Sequence, residues 1–152
     1  MNLPQGRAVL NEFAAACLDD AQQELRSSGA LKGSVSLGYG MHGRQGEPAI
    51  SQYGLTRQDT AEADKELDDI MRYAHKTCAE AAAVVMEVAA DPSTAGLFPD
   101  CDGIILVAAA SSDGRVTIMR PYRRSPSGIT LGDPKITDTC AIPLLDAIFP
   151  QG

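Results

Sequence analysis

The sequence predicts an α+β domain, an antiparallel sheet packed by one long central helix, with elements in the order α-β-β-α-β-β-α. Three observations lead there. Apolar residues recur at steps of three and four over 59–90, the period of a helix buried along one stripe. Two pairs of strand-like segments, 31–39 with 49–55 and 104–110 with 116–120, are joined by turn-forming residues and read as antiparallel hairpins. The helical segments stand apart from those hairpins. At 152 residues the chain suits a single domain, 1–152, and 44% hydrophobic residues can fill its core without disulfides or metal.

The first helix spans about 4–28. Leu10, Phe13, Ala14, Cys17, Leu18, Ala21 and Leu25 form its stripe, and Gly29 is placed to end it. Over 31–39 the period changes to two, with Leu31, Val35, Leu37 and Tyr39 alternating with Lys32, Ser34 and Ser36. A glycine-rich stretch, 40–48, leads to a shorter strand at 49–55. The long helix follows, with Leu67, Ile70, Met71, Ala74, Cys78, Ala81, Val85 and Val88 on one side. Glu62, Lys65, Glu66, Asp69, Arg72, Lys76, Glu80 and Glu87 fall on the other. Asp59 and Glu62 resemble a capping box, and Pro92 blocks continuation. Unbroken, it is a rod of about 45 Å.

A loop rich in Pro, Asp and Gly covers 91–103. The apolar run 104–110, the turn residues Ser111, Ser112, Asp113 and Gly114, and then Val116, Ile118 and Arg120 make the clearest hairpin. Pro and Gly recur through 120–135, which reads as loop with a short extended piece at 129–131. Pro143 opens a last helix with Leu144, Leu145, Ile148 and Phe149 to bury.

Twenty acidic against thirteen basic residues give a net charge of −7, which argues against a general nucleic-acid or anionic-membrane binder. The charge is uneven. Residues 1–102 hold sixteen Asp/Glu and eight Lys/Arg, while 103–152 hold four and five. No apolar run approaches a membrane span and no secretory signal opens the chain, so the expectation is a soluble, cytoplasmic protein. Cys17, Cys78, Cys101 and Cys140 form no CxxC pair and read as reduced, mostly buried thiols.

Several motifs fail on their surroundings. Gly38, Gly40 and Gly43 match GxGxxG, but Arg44 to Pro48 cannot form the helical first turn that a dinucleotide pyrophosphate needs. His75 and Cys78 are neighbours on a helix, yet with Cys101 or His42 they still lack recognisable zinc spacing. The run Glu62, Asp64, Glu66, Asp68 and Asp69 lacks the glycine and irregular backbone of a calcium loop and reads as a solvated helix face. No cofactor and no metal are expected.

One stretch stands out in this acidic chain. At 120–128, Arg120, Tyr122, Arg123, Arg124, Ser125 and Ser127 combine guanidinium forks, an aromatic wall and hydroxyls. Such a set suits a carboxylate or phosphate, or a protein partner. The competing reading is a solvated loop that pairs with the acidic half of the chain or of a second subunit. The first expectation for function is a non-enzymatic protein-binding domain of adaptor, chaperone or inhibitor type, acting as a homodimer. The alternative is a small-molecule-binding domain or enzyme that takes an anionic ligand at 120–128.

Overall fold

A computed structural model describes residues 3–29, 31, 33–39, 49–54, 60–89, 101–112, 114–138 and 143–149. The glycine-rich 40–48, the Asp59 cap, His42, Pro92 and Cys140 lie outside the described residues. The elements are α1 (Leu3–Ser28), β1 (Ser34–Tyr39), β2 (Ala49–Gly54), α2 (Thr60–Lys76) and β3 (Ala81–Ala89). They continue with β4 (Gly103–Ser111), β5 (Gly114–Ser125), β6 (Gly128–Leu131), β7 (Lys135–Thr137) and α3 (Pro143–Ile148). The class is α+β, with every strand pair antiparallel.

The helix expected over 59–90 is two elements. α2 stops at Lys76, and Cys78 takes a left-handed φ of 57°. Cys78 N–H donates to His75 O at 3.3 Å and Ala79 N–H to Ala74 O at 3.0 Å, the double bond of a Schellman cap. Glu80 N–H then donates to Gly38 O at 2.8 Å, and β3 begins beside β1. Alanine explains the misreading, because it is the best helix former and hides a strand among helical residues. Ala81, Ala83 and Val85 face one side of the sheet and Ala82 and Val84 the other, all buried. A strand buried on both faces is apolar throughout and shows no alternation.

The sheet runs β2-β1-β3-β4-β5-β6, with β7 also on β5. The expected hairpins are present. β1 pairs β2 without interruption, and β4 pairs β5 across a tight turn in which Gly114 takes φ 145°. The short extended piece expected at 129–131 is β6, but much of the loop expected around it over 120–135 is also sheet: β5 continues to Ser125, turns through Pro126 and Ser127, and returns as β6 and then β7. From Tyr122 to Met119 is three steps on β5, whereas their partners Leu131 and Lys135 are four apart. That extra residue is a bulge in the edge strand.

Helices cover both faces of the sheet. The whole α1 stripe, Leu10 to Leu25, is buried against Ala81, Ala83, Val85, Ile105, Val107, Ala109, Val116 and Ile118. On the other face, Ile70 and Ala74 of α2 and Leu145 and Ile148 of α3 bury Val35, Leu37, Ala82, Val84, Ala108 and Ala110. Alanines at the centre of β3 and β4 let helices approach closely from both sides. Gly29 ends α1 as expected, with φ 79° and its N–H on Leu25 O at 2.9 Å.

Candidate functional site

The 120–128 stretch is the distal half of β5 and its turn into β6. Because strand side chains alternate, Arg120, Tyr122 and Arg124 lie on the α1 face and Arg123 on the opposite face. The chain runs straight through Pro121, so the three arginines do not converge on one point.

Tyr122 is buried at 3% exposure over Gly103, where a Cβ would meet its ring at 2.6 Å. Its hydroxyl donates to Glu87 Oε1 in a short hydrogen bond. Burial first, and the Glu87 carboxylate second, push the phenol above its ordinary pKa. The Arg124 guanidinium stacks 5.2 Å from the ring centroid and sends Nη2 to Glu87 Oε1 at 3.3 Å. Its Nη1 donates to Gly29 O, beyond the end of α1. The Arg124 backbone N–H donates to Asp102 Oδ2 at 2.6 Å. Glu87 and Asp102 both come from the acidic half of the sequence; Glu87 pairs with the Arg124 guanidinium, and Asp102 holds its backbone.

Arg120 is committed as well, with Nε on Gly132 O at 3.0 Å and Nη1 on Gln22 Oε1 of α1 at 3.1 Å. Ser125 and Ser127 turn toward each other, their hydroxyls 2.9 Å apart, and Ser125 also donates to Gly128 O at 3.2 Å. They close the β5–β6 turn. Arg123 is exposed beside Thr130 of β6. The structure thus assembles Arg120, Tyr122 and Arg124 with Gln22, Glu87 and Asp102 as a clamp between α1 and the sheet.

Sequence reasoning missed Glu87 and Asp102. Glu87 carried a signal: a lone carboxylate inside the apolar run of β3 requires a partner. Arg115 sits at the other end of β5 and is 3% exposed. It donates to Ser111 O at 3.3 Å, Gly114 O at 3.1 Å and Phe149 O, and pairs with Asp146 of α3 at 3.3 Å. It fastens α3 to the sheet.

Among the described residues no group of three His, Cys, Asp or Glu is placed to hold a metal. Cys17 is buried in α1 and its pKa is raised to about 11 by burial, with a hydrogen bond to Ser36 opposing. Cys78, expected on an apolar stripe, is exposed in the α2 cap, and Cys101 is partly exposed. Among the described residues no helix is long and apolar enough to cross a membrane. No protein family, curated protein or solved structure matches the chain.

Proposed function

We propose that the chain is a protein-binding domain that takes a strand of its partner onto the open edge of its sheet at β2. The observation that supports this is the contrast between the two edges. β6 and β7 are short, offset by a bulge, and separated by Asp133 and Pro134, with Lys135 opening β7. Each of these features blunts an edge against another chain. β2 has none of them. Its six residues pair in unbroken register with β1 and contain neither proline nor charge, and among the described residues its outer side is unpaired. An uninterrupted row of outward N–H and C=O groups is what strand addition uses for affinity.

Recognition of a small anion at 120–128 takes second place, because the Arg124 guanidinium is already paired with Glu87 and that of Arg120 is hydrogen-bonded to Gly132 O and Gln22.

Photocrosslinking tests the edge. A benzophenone side chain at Gln52 should give a protein adduct in the producing cells, and the same probe at Ile136, in β7, should not. Absence of any adduct from Gln52 would remove this reading.

A further inference from the structure

We infer that the sheet surface under α3 is a docking site for an amphipathic helix of a protein partner, and that α3 keeps it closed until such a helix displaces it. The partner helix carries apolar residues at the spacing of Leu145 and Ile148 and a glutamate at the place of Asp146. The site lies beside α2 and is separate from the β2 edge, so it stands or falls independently of strand addition.

α3 rests on β3 and β4 alongside α2. Leu145 and Ile148, three residues apart, lie on one helical face and join Ile70, Ala74, Ala82, Val84, Ala108 and Ala110 in a single buried cluster. The small side chains at 82, 108 and 110 make room for those two. Six residues make few internal hydrogen bonds, so α3 is held by these contacts and by Arg115 more than by its own stability. A longer helix with the same apolar face spreads its nucleation cost over more bonds and competes well for the surface.

Arg115 decides which helix fits best. Its guanidinium is buried, and a buried cation needs a close, well-placed anion. Nη1 donates to Ser111 O and Gly114 O, within the β4–β5 turn. Nε and Nη2 form the other edge of the plane, a fork suited to both oxygens of one carboxylate. α3 uses this edge incompletely. Asp146 Oδ1 reaches Nη2 alone, at 3.3 Å, from a side chain that is 52% exposed, and the buried Nε has no hydrogen-bond partner. A buried donor left without an acceptor destabilises the closed arrangement. Glutamate at the same helical position is one methylene longer and spans Nε and Nη2 together.

Fluorescence anisotropy against the full chain tests this with three labelled, helix-stapled peptides that copy Pro143–Phe149. One is unchanged, one carries Asp146→Glu and one carries Asp146→Asn. The Glu peptide should bind about tenfold more tightly than the unchanged one, through the added charge-assisted hydrogen bond, and the Asn peptide should bind least. Arg115→Lys keeps the charge and removes the fork, so it should erase the preference for Glu over Asp. With the Glu peptide bound, the Phe149 amide, which donates to Leu145 O at 2.8 Å, should lose protection from hydrogen exchange while α1 keeps its own. Asp146→Glu within the chain changes an exposed position and should act in the opposite sense, protecting Phe149 and weakening the binding of every peptide. No binding by any peptide, equal binding of the Glu and Asp peptides, or binding that leaves Phe149 protected overturns the inference. If light scattering shows the peptide turning a dimer of the chain into monomers, the surface takes α3 of a second copy and the partner helix falls.

Discussion

The two faces of the sheet are covered by different means. On one, a single 26-residue helix lays Leu10, Phe13, Leu18 and Leu25 over Val85, Ile105, Val107, Val116 and Ile118. On the other, α2 and the six-residue α3 share the work, and the bulk comes from both sides: Val35, Leu37 and Val84 below, Ile70, Leu145 and Ile148 above. A helix of six residues has too few hydrogen bonds to offset its nucleation cost. It persists because Leu145 and Ile148 are buried and Arg115 holds its end. One face is therefore the global core, and the other is a set of separately fastened pieces.

The largest expected effect is on the α1 face. Phe13→Ala should lower unfolding free energy by about 3–5 kcal/mol, read by urea denaturation, with all probes moving together. Leu145→Ala should cost about 2–5 kcal/mol and act locally. Hydrogen exchange should show α3 losing protection while α1 keeps its own. Equal loss of protection in both helices would erase the distinction between the faces.

A smaller effect is expected from Arg115→Leu. It removes the donor to Phe149 O and the charge that meets Asp146, while its Nε has no partner to lose. The net cost should be about 1–3 kcal/mol, again with α3 released first. Arg124→Ala should cost about 1 kcal/mol or less, since Arg124 and Glu87 are partly exposed. Arg123→Ala, on the other face, should stay within about 0.5 kcal/mol. Equal costs for these two would mean that the clamp contributes nothing beyond an ordinary surface strand.

Alkaline pH tests the α1 face without changing its shape. Cys17 titrates near 11 in the folded chain against an ordinary value of 9.0, so the unfolded chain releases this proton first as pH rises. The contribution of the protonated thiol is complete below about pH 9 and declines as pH rises toward 11. Cys17→Ala should flatten that decline. Exposed Cys78 should react with a thiol reagent at neutral pH long before Cys17 does, and comparable rates would contradict the burial of α1.

Much of this plan was legible in the sequence. The stripe of α1, its Gly29 cap, the β1–β2 and β4–β5 hairpins and the Pro143 start of α3 each announce themselves within a few residues. What was not legible depends on distant partners. Nothing local distinguishes Ala81 to Val88 as helix from the same residues as a strand buried on both faces. The left-handed cap at Cys78 uses a residue without glycine's freedom, so the break had no marker. Prolines disguised 120–125 as loop, although β5 carries Pro121 through intact. At the candidate site, alternation placed Arg120, Tyr122 and Arg124 on one side, but Glu87 and Asp102 are brought there only by the register of β3, β4 and β5.

The contact of Tyr122 with Gly103 has a consequence for descent. Any side chain at 103 strikes the ring, so the tyrosine would have to leave, and Glu87 and Arg124 would then lose the hydroxyl that joins them. Position 103 cannot drift by itself. In diverging copies of this gene the glycine and the aromatic should be inherited as a pair, and where one is replaced the other should be replaced too, with the Glu87–Arg124 charges relaxing in the same lineage.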